Sequence, residues 1–490
     1  MKKIIAFLLL FTVFFAIYDV AVFAAVPYRG YIYTVRWGGT ASPNAYIPLK
    51  ILYGQEMGTT NLNSPGDLAV RNNTIYIADT GNNRIVILDK NYQFIREITS
   101  FIDADGSRSY FNSPEGLFVT PNYEIFICDT ENSRIVVLDN YGNLIKIIGE
   151  PVSDILPGGF RYFPIRVAVS RSGRIYVIGR GVFHGIMEFS SEGEFSRFLG
   201  TNRVSFNPID YFWRSIATEE QRARMVTFLP TAFNSLEIDS IGFIYTTVGD
   251  EGTDTPIQRL NPTGIDVLRR PQDQNLQPVG ELSFVSMGTQ NVTFAGSSVF
   301  VDITVNDYGM YAALDNKRGR IFVYSAESQL LYIFGKHGIQ EGTFGTPVAI
   351  NWVGDDLVVL DRGTNNLTVF TPTEYGRFIN QAVKNQTLGN DEMATYYWNR
   401  VLQLNSNYDL AYVGIGRALL RQGYYRKAMD YFMLGNSRFY YSRAFTNHRR
   451  NLMREYLGHG LTGVVVLSAL TAALRIHRKV KAWHVKKEVG

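Results

Sequence analysis

The chain has 490 residues, 46% of them hydrophobic and 19% charged, with a formal net charge of +4. That composition excludes a disordered chain, and the length allows more than one packed unit. The single cysteine, Cys128, excludes an internal disulfide and a metal centre built on several cysteines.

At the start, Lys2 and Lys3 precede an apolar run from Ile4 to Ile17, with Val22 and Ala24 at the usual cleavage positions. A basic start, a short apolar core and a small-residue exit predict a signal peptide over residues 1–24. From residue 25 to 372 the chain repeats itself. Ile75 to Leu88 reads IYIADTGNNRIVIL, and Ile125 to Leu138 reads IFICDTENSRIVVL. Fainter copies are YAALDNKRGRIFVY at 311–324 and LVVLDRGTNNLTVF at 357–370. Each good copy opens with a proline turn and an apolar strand, as in Ser64-Pro65-Gly66-Asp67-Leu68, and continues through three more short strands. Four antiparallel strands per repeat, at a period of roughly 40–50 residues, predict propeller blades. Further copies begin near Pro164, Pro230, Val299 and Pro347, which makes six blades. The sixth runs straight into a helical pattern and has no outer strand of its own. Residues 47–54, IPLKILYG, resemble the end of a repeat and are expected to supply that strand and close the ring.

Asp79/Arg84, Asp129/Arg134 and Asp315/Arg320 share one spacing, and Asp361 stands without its arginine. Catalytic carboxylates would not recur in every good copy. These residues are read as architecture, the Asp accepting turn N–H groups and the Arg bridging to it or to a neighbouring blade. The third copy has Gly179 and His184 instead. The spacing stretches after it, which predicts an inserted loop and helix over 201–228. That insert carries Tyr211, Phe212 and Trp213, an aromatic cluster suited to gripping a sugar or a peptide. With His184 they are the candidate ligand-binding residues.

Beyond Pro372 the apolar period becomes helical, from 374 to 455. An uncharged stretch, 457–474, has about the length that crosses a bilayer. The tail, 475–490, holds six Lys or Arg against Glu488. Removing the tail and the leader leaves the part between them slightly acidic, so the basic balance gives no argument for nucleic-acid binding. Positive charge beyond the span puts the tail in the cytoplasm and the rest outside. The Met-Lys-Lys start and the lack of disulfides suit a bacterial envelope protein, single-pass in the cell membrane.

The recurring phrase resembles the NHL-repeat family, over 64–150 most closely and more weakly from 163 to 383. That resemblance implies a six-bladed β-propeller, mainly β, that binds proteins, RNA or other ligands. Related propellers include gluconolactonase-like hydrolases and a lyase of amidated peptides. Residues near Tyr412, Gly416, Gly423, Ala428 and Phe432, with Phe378, Ala382, Gly389 and Trp398 34 residues earlier, resemble two tetratricopeptide repeats. Histidines in the propeller number only two, His184 and His337, too few for the lyase-type metal site. No nucleophile elbow, zinc motif or phosphate loop occurs. The expectation is therefore no catalytic residue, no metal and no cofactor. A lactonase-like hydrolase is the alternative, with a divalent cation held by oxygen ligands such as Glu115, Asn234 and Asp302. A structural spacer is a second alternative. The favoured function is a membrane-anchored binding or scaffold protein outside the cytoplasm, recognising a protein or carbohydrate-type ligand within an envelope complex.

Overall fold

The computed structural model describes residues 26–488 except 35–37, 154–155, 157–159, 183, 201–231, 250–252, 272–276 and 283–295. The expected signal peptide, and the insert with Tyr211, Phe212 and Trp213, lie outside the described residues.

Six antiparallel blades form a closed ring. Blade 1 runs through Asp67–Arg71, Thr74–Asp79, Arg84–Leu88 and Phe94–Ile98, and blade 2 through Pro114–Val119, Ile125–Asp129, Arg134–Leu138 and Leu144–Ile148. Blade 3 spans Pro164 to Leu199 and blade 5 spans Phe300 to Phe334, each with four strands in chain order. Blade 4 departs from the four-strand expectation: its described residues give three strands, Glu237–Ile238, Ile244–Thr247 and Ile257–Leu260. The middle strands are buried along their whole length, as in Ile75–Asp79. Both faces of such a strand press on neighbouring blades, which is why the sequence shows continuous apolar runs there. Outer strands such as Phe94–Ile98 are largely exposed. One hydrophobic cluster fills each of the six blade-to-blade gaps.

Three N-terminal strands complete the sheets: β1 (Tyr31–Thr34), β2 (Gly38–Ala41) and β3 (Tyr46–Leu52). β3 pairs antiparallel with Asn366–Pro372, from Leu52 opposite Leu367 to Tyr46 opposite Pro372, and is the outer strand of blade 6. A strand from near the N-terminus thus locks the last blade. β1 and β2 form a hairpin that pairs Tyr31 with Ile333 and extends blade 5 to six strands. Nothing in YIYT and GGTA marks them as partners of a strand so far along the chain as Leu330–Phe334, because strand pairing at such range leaves no local signal.

Five helices follow: α1 (Glu374–Thr387), α2 (Asp391–Leu404), α3 (Asp409–Arg421), α4 (Tyr425–Leu434) and α5 (Arg438–Glu488). The Thr373 side chain caps α1 by accepting from the Gly376 N–H, and its hydroxyl donates to the Asn44 carbonyl. α1, α2 and α3 share one core with blades 5 and 6: Tyr375, Ile379, Trp398, Tyr408 and Ile415 join Tyr46, Tyr332 and Phe370. Two short helical hairpins have little interior of their own, and they gain one by closing on the ring. The helical region is therefore packed against the ring. α5 is a single helix of 51 residues, about 77 Å long, whose apolar stretch is wholly exposed.

Candidate functional site in the channel and the junction cleft

The geometry of the recurring Asp and Arg decides whether they are free for chemistry. Asp79 accepts from the Asn63 N–H at 2.7 Å, the Asn82 amide at 2.8 Å and Arg84 Nε at 2.7 Å. Asp129 repeats this with the Asn112 N–H, Asn132 and Arg134 at 2.7, 2.8 and 2.8 Å. Asp361 takes the Gly345, Thr346 and Gly363 N–H groups at 2.6, 2.8 and 2.8 Å. The threonine after each of the first two Asp residues links the blades: Thr80 donates to the Pro114 carbonyl and Thr130 to the Pro164 carbonyl, both at 2.7 Å. These carboxylates are buried and their oxygens are occupied by their own turn.

The third pair is different. Arg320 lies opposite Asp315 in register but turns away to Glu281, which also accepts from Tyr31 and Tyr33 of β1. Asp315 instead accepts from Ser298 Oγ at 2.7 Å, with Arg318 at 3.6 Å. The equal spacing of Asp315 and Arg320 misleads here because a buried carboxylate on another segment, together with the β1 tyrosines, captures the guanidinium.

The innermost strands line the axial channel and touch their neighbours all round the ring. Pairing registers align Asp67, Gly116, Arg166, Asp302 and Ala349 at one level, each opposite the residue before the turn position. Large charged groups thus alternate with small residues. A Cβ on Gly116 would stand 2.3 Å from the Ile165 carbonyl oxygen, so only glycine fits there. The Arg166 side chain crosses this level: Nη1 lies 3.9 Å from Asp67 Oδ2, and Nη2 is 3.5 Å from the Val348 carbonyl of blade 6. Asp67 also accepts from the Leu117 N–H at 3.0 Å, and Asp302 from the Ile350 N–H at 2.8 Å, each a bond to the next blade. Glu237 of blade 4 completes the acidic set. Burial pushes its carboxyl up to about 8, with Asp302 adding to the rise. Burial pushes Asp302 up to about 7, with Asp67 adding and Arg166 opposing.

The hydrolase alternative needs a divalent cation held by Glu115, Asn234 and Asp302. Each of the three has a protein partner. Glu115 pairs with Arg180, Asn234 donates its amide to the Phe300 carbonyl at 3.0 Å, and Asp302 faces the Arg166 charge. Among the described residues no group of three His, Cys, Asp or Glu side chains is placed to hold a metal ion.

A second concavity lies where the helices meet blade 5. This cleft, of about 1380 Å³, has Ile32, Leu330, Val413, Phe432 and Phe439 in its walls and Arg269, Arg270 and Arg438 among its charged groups. A bidentate pair from Arg417 of α3 to Glu327 of blade 5, at 2.6 and 2.9 Å, braces it. Of the sequence-derived ligand candidates, His184 is exposed and rests against the Phe198 ring with centroids 5.4 Å apart. Sequence reasoning missed Asp67, Arg166 and Glu237. A signal exists for the first two: each is a charged residue two positions after the proline that opens a repeat.

Fold and site together define a class, a six-bladed β-propeller whose ring is locked by an N-terminal strand and covered on one side by helices. The NHL repeat family model matches residues 62–88, from the entry turn of blade 1 to its third strand, so the chain carries an NHL repeat. Solved structures similar to it include virginiamycin B lyase from Staphylococcus aureus, 11% identical, covering 63% of this chain and 95% of that one, with a TM-score of 0.36. A streptogramin B lyase is 11% identical over 64% and 94% of the two chains, with a TM-score of 0.37. A protein of unknown function from Bacteroides thetaiotaomicron is 12% identical over 67% and 72%, with a TM-score of 0.40. Comparison with curated proteins gave no match.

Proposed function

We propose that this chain is a membrane-anchored binding or scaffold protein whose NHL-type propeller recognises a protein or carbohydrate-type ligand in an envelope complex. The observation that carries the reading is α5. Its root is packed on the helical region through Ala444 and Tyr440, while the uncharged stretch 457–474 has no protein contact covering it. An apolar helix of that length in water is costly, and a bilayer removes the cost. Binding is preferred to hydrolysis because the channel acids face a guanidinium of their own chain, where a hydrolase of this kind needs a cation. The junction cleft is the favoured recognition surface, since ligand sites concentrate where packed units meet. Tyr211, Phe212, Trp213 and His184 remain proposed as a second contact.

A photo-crosslinking residue in the cleft, at Phe439 or Leu330, tests the recognition surface in full-length protein in native membranes. The expected result is one discrete adduct absent when the crosslinker replaces outward-facing Tyr141 of blade 2. Equal, diffuse labelling from all three positions would contradict it.

A further inference from the structure

Many arginines of the propeller and the helices that cover it are engaged by acids. Arg84, Arg134, Arg197, Arg259, Arg417 and Arg421 each meet a carboxylate. A cluster of arginines without such partners forms the neck of α5, between its packed root and the apolar stretch. Arg443, Arg449, Arg450 and Arg454 are exposed there, Glu455 is the only acid from 438 to 456, and no carboxylate partner is found for the four among the described residues. Arg450 reaches only the Asn447 amide oxygen, at 3.4 Å. The neck is thus nearly as basic as the tail beyond the apolar stretch, so charge alone does not distinguish the two ends of the helix.

The helix fixes where these charges sit. At 1.5 Å per residue, Arg454, Arg450 and Arg449 precede Leu457 by about 5, 11 and 12 Å. Arg450 and Arg454 share the face of Arg443, and Arg449 leaves from another, so the charges flank the helix on two sides. Exposed Tyr456 lies at the same border, where amphipathic rings settle at membrane interfaces. Guanidinium groups match phosphate oxygens bidentately and are weakly hydrated.

We propose that the neck is a binding collar for anionic phospholipids in the leaflet that faces the propeller, with Arg449, Arg450 and Arg454 engaging lipid phosphates. The proposal rests on the membrane-anchored reading and adds a partner class to it. The occupant is a lipid headgroup because the basic border is continuous with the apolar stretch. A soluble phosphate would have no such apolar neighbour.

The test uses full-length protein reconstituted into phosphatidylcholine vesicles with trace spin-labelled phosphatidylglycerol or phosphatidylcholine. The readout is the fraction of each label immobilised at the protein. The wild type is expected to prefer the anionic label by about three-fold or more, with the preference collapsing in high salt. The triple variant R449Q/R450Q/R454Q should lose about half of that preference. A tail variant, R475Q/R478Q/K479Q/K481Q, should lose the other half, and inorganic phosphate at millimolar concentration should change neither. A neck variant with the wild-type preference would overturn the collar while leaving anchoring intact. Failure of the wild-type protein to float with vesicles after alkaline washing would overturn both.

Discussion

Asp79 and Asp129 hold their turns with the same three donors, and a structural role predicts a stability cost without a catalytic one. Asp79→Ala leaves Arg84 Nε, the Asn82 amide and the Asn63 N–H without their acceptor, while Arg84 keeps Glu97, so urea unfolding should show a loss of about 2–4 kcal/mol. Thr80→Val removes only the hydroxyl link to blade 2 and should cost about 1 kcal/mol. A loss for Asp79→Ala no larger than that for Thr80→Val would contradict the assignment. The channel acids give a pH signature. Glu237 and Asp302 are raised to about 8 and about 7, above the ordinary carboxylate value of about 4. The folded chain therefore holds protons that the unfolded chain releases, and stability falls as pH rises from about 4 through those values. The thermal midpoint should drop between pH 5 and pH 9, and Glu237→Gln should flatten the upper part of that slope. An identical slope in the variant would remove Glu237 from the account. At this scale the sequence was legible where partners are local. Asp79 and Arg84 are five residues apart on one hairpin, so spacing reveals them. Glu281, which takes Arg320, is 39 residues away in a connection with no repeat signal, and the crossing of the channel by Arg166 depends on small residues in other blades.

Among the elements, β3 carries the most consequence, because it joins the two ends of the propeller. Its pairing with Asn366–Pro372 is extended by α1, whose Gly376 lies against β3's neighbour: a Cβ there would stand 2.1 Å from the Ala45 carbonyl oxygen. Gly376→Val should therefore push α1 off the ring and cost about 3 kcal/mol. Calorimetry should show the single transition of the wild type splitting or broadening as the helices separate from the blades. One sharp transition at the wild-type temperature would mean that α1 and the ring are not coupled. Deleting residues 26–54 should abolish the cooperative transition altogether, since it opens blade 6 and exposes a sheet edge. The blades themselves were readable because middle strands, buried on both faces, write continuous apolar runs into the sequence. Blade 4 was less readable, with polar Thr246 and Thr247 in its middle strand. The docking of α1 to α3 on blades 5 and 6 was not readable. The apolar stripe of a helix says that it must be covered and does not say by what.

Over the whole molecule, ring and helices form one body through a shared core, and α5 leaves that body with its apolar stretch bare. An exposed stretch of this size has no counterpart elsewhere among the described residues, where exposed apolar side chains are scattered over outer strands, turns and the outer faces of the helices. Anchoring at a membrane is therefore the claim on which the function, the collar and the orientation of the binding cleft all depend. The measurement that tests it most directly is alkaline carbonate extraction of membranes from cells producing the full-length protein, followed by flotation on a density gradient. The chain is expected to stay with the floating lipid at pH 11, and L461R/V465R/L470R to release it with the propeller still folded. Quantitative release of the unaltered chain into the supernatant would contradict the account.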